Sequence, residues 1–206
     1  LFQIWINLPA RSKMVKPYFA MLWNETIPRV VTHTGAARAE ATVVSGHLGG
    51  AAPPACPPDS WAANPANDVS IATLRLDPGA SFSLPPAQPG TNRVLYFFAG
   101  SQLTVNGATA PPHHALHLEP TAAAELVAGD ACELLLLQGR PIGEPVAQHG
   151  PFVMNTQSEV QQAFADYRRT QFGGWPWKSS DPVHERTEGR FARHADGRLE
   201  RPAKPA

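Results

Sequence analysis

The residues with the clearest capacity for chemistry are three histidines and a carboxylate packed into seven positions: His113, His114, His117 and Glu119. Imidazole and carboxylate groups hold zinc, iron and related ions when three or four of them converge on one point. On an extended strand His113, His117 and Glu119 share one side while His114 points away. At ~3.3 Å per residue that set spreads over about 20 Å, too far to bind one ion. Only a turn inside the segment could gather them. We therefore read them as surface or edge histidines beside the Pro111-Pro112 corner.

Nucleophilic chemistry has no better footing. There is no Gly-x-Ser-x-Gly elbow, and neither cysteine has a nearby histidine or helix start to favour its thiolate. Cys132 lies in an apolar run and reads as a core residue. Cys56 lies among prolines and reads as a tolerated surface thiol. Gly46-His47-Leu48-Gly49-Gly50 lacks the strand-then-helix context and the Lys-Ser/Thr of a phosphate loop, so it reads as a Gly-rich bend. Trp5, Trp23, Trp61, Trp175 and Trp177 could offer stacking surfaces for a flat ligand, but packing anchors are the simpler account. From the residues alone we assign no catalytic, no cofactor-binding and no metal-binding position.

The elements that would position any such group are mostly strands. The chain holds 22 prolines in 206 residues, about twice the ordinary share, and is poor in charge, so it is turn-rich with a large apolar fraction. Short apolar runs at Val69–Leu76, Phe82–Leu84, Val94–Phe98, Leu103–Val105, His114–Leu118, Ala124–Val127 and Cys132–Leu137 alternate with turn signals. Those signals are Asp77-Pro78-Gly79, Gln88-Pro89-Gly90, Gly100-Ser101, Asn106-Gly107 and Gly129-Asp130. This spacing predicts an antiparallel sandwich or small barrel, with Asn106-Gly107 as a two-residue hairpin turn. Leu1–Leu8 alternates like a further strand, and Pro17–Pro65 reads as a surface connection holding one β-like run, Ala41–Ser45. Thr156 and Glu159 form a capping box, and Val160, Ala163, Phe164 and Tyr167 mark one helix face. The helix is expected over about 157–171, lying on the barrel and stopped by Gly173-Gly174. Trp175-Pro176-Trp177 could pin the chain by burial. From Lys178 onward mixed charges without period predict an extended, flexible tail.

Seventeen Lys plus Arg against 17 Asp plus Glu leave no net field to steer nucleic acid or an anionic membrane. No apolar run approaches the ~20 residues of a membrane helix, no signal peptide is evident, and two cysteines do not make a disulfide framework. A cytoplasmic location is expected. The absence of a first Met reads as a processed chain or the downstream piece of a longer product.

Two stretches resemble the pirin family of bicupins. Leu1-Phe2-Gln3-Ile4-Trp5-Ile6-Asn7-Leu8-Pro9 with Lys13-Met14-Val15-Lys16-Pro17 is similar to the segment that follows the family's metal site. Gly143-Glu144-Pro145-Val146-Ala147-Gln148-His149-Gly150-Pro151-Phe152-Val153-Met154-Asn155-Thr156 is similar to its C-terminal signature. Leu76-Asp77-Pro78-Gly79-Ala80 and Pro112-His113-His114 fall where the second barrel has like residues, and the resemblance runs to about Lys178.

The resemblance implies two cupin barrels, an all-β jelly-roll fold with a docked C-terminal helix. The first barrel would bind iron through three histidines and a glutamate, and the second would be metal-free. It also implies quercetin 2,3-dioxygenase activity, in which a flavonol ring is opened with O2, and in eukaryotes transcriptional coregulation through protein partners. On this reading residues 1–65 are an inter-barrel strand and linker, 66–177 the C-terminal barrel with its helix, and 178–206 the tail. None of the family's metal ligands carries over to a position here, so Fe(II) is expected in the full-length family member and no cofactor in this chain. His149 falls in the signature and is read as structural, bonding backbone groups at the helix entry. A flavonoid-like small molecule or a protein is the expected partner of the full-length protein, with no direct nucleic-acid or membrane contact. The Ala, Pro and Arg usage fits a GC-rich bacterial source. Loss of the first barrel would expose the apolar face of Phe2, Ile4 and Ile6 and make the chain poorly soluble.

Overall fold

The computed structural model describes residues 1–175, 178–180, 183–194 and 196–202. It divides into two compact units, one of residues 1–6 and 26–141, the other of residues 7–25 and 142–206.

The first unit is a two-sheet jelly roll. Strands β1 (Arg29–Thr34), β2 (Ala37–Ser45), β3 (Ser70–Leu76), β5 (Asn92–Ala99), β8 (Ala115–His117) and β10 (Cys132–Gly139) form one sheet in the order β1-β2-β3-β10-β5-β8. Strands β4 (Ser81–Leu84), β6 (Leu103–Val105), β7 (Ala108–Ala110) and β9 (Ala124–Ala128) form the other, in the order β4-β9-β6-β7. Every pairing is antiparallel. The period-two alternation turns Ala39, Ala41 and Val43, Leu74 and Leu76, Leu95 and Phe97, and Leu134 and Leu136 into one core, to which the second sheet adds Phe82, Leu84, Leu103 and Leu126. This is the sandwich the strand spacing predicts.

Turn chemistry sets several of the joins. Asn106 and Gly107 take φ of 49° and 79°, the positive values a two-residue hairpin turn needs, and Val105 pairs with Ala108 across it. Gly46 has φ +87°, and a Cβ there would stand 2.4 Å from the Val69 carbonyl oxygen, so the bend after β2 admits only glycine. Asp130 caps the turn before β10. It accepts from Ser101 Oγ at 2.6 Å and from the Ser101 and Gln102 amides, and these bonds, the Ser101 hydroxyl first, hold its carboxyl down at about 2.

The structure corrects the sequence reading at three places. Leu1–Leu8 is not a strand, although Phe2 sets its ring edge-on against Phe98 at 5.0 Å. The supposed surface connection contains the β1–β2 hairpin, whose Ala39, Ala41 and Val43 are wholly buried. Ala39 and Ala41 pair with Leu76 and Leu74, and small side chains fit beside these large leucines. The described tail is not simply extended: it has a 3-10 turn at Arg186–Glu188 and a short hairpin, β13 (Ala192–Arg193) with β14 (Leu199–Glu200).

In the second unit, β11 (Ala147–His149) and β12 (Phe152–Met154) form a hairpin, followed by helix α1 (Gln157–Thr170). The capping box is present in full: Glu159 N–H donates to Thr156 Oγ1, and Glu159 Oε2 accepts from Thr156 N–H at 2.7 Å. Val160 is buried, and α1 packs on the β11–β12 hairpin of its own unit through Phe152 and Phe164, 4.7 Å apart edge to face. The helix ends before the glycine pair, because Gln171 takes the left-handed conformation and caps it. No helix among the described residues is long and apolar enough to cross a membrane.

One charge sits inside the jelly roll. Arg93, on β5, is 3% exposed; its Nη1 donates to Ala122 O at 3.1 Å and its Nη2 to Pro85 O at 2.7 Å, while Nε is buried without a partner. Burial lowers its pKa and the charge of Asp68 opposes that fall. Arg93→Met would keep the volume but leave both carbonyls without donors, and should lower the unfolding free energy by about 2–3 kcal/mol in urea titration. A variant as stable as the parent would show that desolvating the guanidinium costs as much as its hydrogen bonds return.

Candidate functional site

The histidine cluster is dispersed by a turn. His113 has φ 58° and lies before β8, so the alternation assumed for a strand stops at Ala115. His114 Nδ1 is 2.8 Å from Pro112 O; the carbonyl only accepts, so the ring donates from Nδ1. His117 pairs across the sheet with Val94. Glu119 is occupied locally, its Oε1 accepting from Thr121 Oγ1 at 2.8 Å. All four residues are exposed, and among the described residues no three His, Cys, Asp or Glu side chains are grouped to hold a metal ion.

The jelly-roll interior is no better suited to the iron that the family resemblance implies. Its lining is leucine, phenylalanine and alanine, and the charged group it encloses is the Arg93 cation. Cys132 is buried, and burial, with Asp130 beside it, pushes its thiol up to about 12, far from the thiolate a metal would need. The residues present do not fit an iron ion.

The part of the first motif from Asn7 onward meets the signature in the second unit. Lys13 Nζ donates to Asn7 Oδ1 at 2.7 Å and to Val153 O at 3.1 Å. Glu144 Oε2 accepts from the Ala10 amide at 2.6 Å and from Asn155 Nδ2 at 3.0 Å, while Glu159 Oε2 accepts from the Asn155 and Thr156 amides. Desolvation lowers the Lys13 pKa, and the charges of Glu144 and Glu159 oppose it. Donors meet acceptors throughout except at Asn155 Oδ1, which is buried without a partner. This network ties the segment from Asn7 to Lys13 to the signature from Glu144 to Glu159, and its chemistry is that of a fastening.

His149 takes part by its ring, standing edge-on to Phe164 of α1 at 5.7 Å, where the sequence reading expects a backbone hydrogen bond. Phe172 and Tyr167 extend this aromatic cluster, 5.4 Å apart, and remain 55% and 42% exposed.

The tryptophans divide. Trp61 and Trp23 are part-buried and bonded through their indole N–H, to Arg140 O at 2.8 Å and Glu200 Oε1 at 2.7 Å. Trp5 and Trp175 are 62% and 59% exposed, so Trp175 is not pinned by burial, and Trp177 lies outside the described residues. Cys56 Sγ lies 3.3 Å from Ser45 Oγ. One polar cluster escapes the sequence reading altogether: Glu200 with His194, Arg198 and Trp23. Hydrogen bonds from His194 and then Trp23 hold the Glu200 carboxyl below its usual range. Asp196-Gly197 between His194 and Arg198 is a hairpin signal, but nothing local points to Trp23.

Comparison with known proteins places these features in a family. The model described as the pirin C-terminal cupin domain matches residues 71–173. Pirin of Homo sapiens is 32% identical over 190 residues, which take in 86% of this chain and 59% of that protein. A pirin-like protein of Caulobacter vibrioides is 32% identical over 83% of this chain and 58% of its own length. A Vibrio cholerae protein named, provisionally, as a quercetin 2,3-dioxygenase is 34% identical over 83% and 58%. The chain thus spans less than two thirds of the length of these relatives. A crystal structure of quercetin 2,3-dioxygenase from Acinetobacter baumannii superposes with TM-score 0.69 at 24% identity, over 82% of this chain and 56% of that one, a likeness of fold.

The fastening account makes two predictions. Lys13→Met keeps the side-chain length but removes the donors to Asn7 and Val153, and should lower stability by about 1–2 kcal/mol in chemical denaturation. His149→Ala removes one ring contact and should lower Tm slightly, by the equivalent of about 0.5–1 kcal/mol. Unchanged stability with altered ligand binding in either variant would mean a binding site instead.

Proposed function

Because the chain belongs to the pirin family, we propose that it is the non-catalytic cupin portion, residues 66–177 with their flanks, of a pirin-type protein. The iron chemistry of that protein, flavonol ring opening with O2 of the quercetin 2,3-dioxygenase kind, then belongs to residues outside this chain. When bound, the iron would engage the flavonol and O2. The observation that carries this reading is the filled interior: where a cupin barrel could hold a ligand, this one holds Phe97, Leu95, Leu134 and the Arg93 guanidinium. Such a unit contributes by its surface and its rigidity, as a wall or lid beside a pocket.

The zero formal charge disfavours direct nucleic-acid binding, and a cytoplasmic location suits the reading. A second reading, a non-enzymatic protein-interaction module, is favoured by one observation. Phe2, Ile4, Trp5 and Ile6 are 46%, 36%, 62% and 37% exposed, four large apolar side chains open to solvent within five residues, of the kind that marks contact surfaces.

Oxygen uptake separates the two. The product of the whole gene, loaded with Fe(II) and given quercetin, is expected to consume O2 in an electrode assay, and the 206-residue chain under the same conditions is not. If neither consumes O2 with quercetin or related flavonols, the dioxygenase reading fails and the interaction module stands.

A further inference from the structure

The family match ends at residue 173, and the chain beyond it carries an arrangement that the match does not account for. Glu200 accepts from two directions. Its Oε1 takes the Trp23 indole N–H at 2.7 Å. Its Oε2 takes His194 Nε2 at 3.0 Å and Arg198 Nη1 at 3.3 Å. The other Arg198 amino group is 3.1 Å from His194 Nδ1; a guanidinium only donates, so Nδ1 accepts and the ring proton sits on Nε2, facing Glu200. The His194 side chain is 9% exposed, and Phe19 meets its ring edge-on at 5.2 Å. A second ion pair joins Glu25 to Arg190. Three residues of one short segment, Phe19, Trp23 and Glu25, thus engage three of the tail, His194, Glu200 and Arg190.

Within itself the tail has one small cluster, Phe191 beside His184, Arg193 and Arg201, and an Arg201–Glu188 ion pair. Ala192 is its buried apolar residue among those described, too small a core to offset the entropy of fixing a score of residues. Its named side-chain contacts with other segments of its unit run to residues 19–25. A part-buried carboxylate served from two sides couples the sides: removing either leaves it under-bonded.

We propose that residues 184–194 and 196–202 form a clasp on the segment 19–25, keyed by Glu200, so that the two stretches order and release together. Opening the clasp frees the Phe19 and Trp23 side chains and leaves the jelly roll intact. The clasp does not rest on the dioxygenase reading and stands or falls separately from it.

Hydrogen exchange by mass spectrometry on the 206-residue chain tests this. Trp23→Phe removes the indole donor and keeps an aromatic ring, and Glu200→Gln removes the charge and keeps the shape. Each is expected to accelerate amide exchange about tenfold or more in both 18–26 and 191–200, with protection of β3, β5 and β10 unchanged. The double variant should exchange little faster than the faster single variant, because both weaken the one Trp23–Glu200 contact that joins the stretches. Acceleration confined to the stretch that carries the substitution, or additive effects, would overturn the proposal. If Glu200→Gln also loses protection in the sheets, Trp23→Phe alone decides, by whether 191–200 responds.

Discussion

The jelly roll depends on the burial of alternate side chains of β10 between β3 and β5. Leu134 stands opposite Leu74 on one side and Phe97 on the other, and Leu136 opposite Ala72 and Leu95. Because side chains alternate, a one-residue slip of β10 would turn these leucines away from the core and bring Glu133 and Leu135 in. Asp130 holds one end of β10 against that slip by gathering Ser101 and Gln102 immediately before it, and Arg93 ties β5 to the carbonyls of Pro85 and Ala122. Every other strand is placed relative to this trio, and the interior it creates is largely apolar, with Arg93 the charged group it encloses.

Most of that architecture is readable in the chain because its signals are local. The seven runs from Val69 to Leu137 are bounded by turns whose residues have backbone reasons, and each became a strand within a few residues of its expected ends. Thr156 and Glu159 likewise announce α1 through a bond between neighbours. What the sequence conceals depends on distant partners. Ala39 and Ala41 look like filler until the leucines opposite them are known. Leu1–Leu8 alternates like a strand but pairs with no strand among the described residues, so alternation alone does not make a ladder. The same holds for sites: His113, His117 and Glu119 are close in sequence and are not grouped to hold a metal ion, whereas Trp23 and Glu200, 177 residues apart, share a hydrogen bond.

The residues that identify the family are therefore best understood by what they hold. Lys13, Glu144, Asn155, Thr156 and Glu159 are charged or polar residues whose bonds are directed at one another and at backbone groups. A lysine between two carboxylates in a part-desolvated setting could serve catalysis, but here its protons point to an amide oxygen and a carbonyl. In this chain the motif fastens two stretches, Asn7 to Lys13 and Glu144 to Glu159.

The central claim, that this chain contributes structure and no metal ligands, is tested most directly by its metal content. The 206-residue chain would be exposed to Fe(II) without oxygen, desalted and measured by elemental mass spectrometry. The account predicts far less than one iron per chain. Near-stoichiometric iron would contradict it, and would require His113, His117 and Glu119 to converge in solution as they do not in this structure.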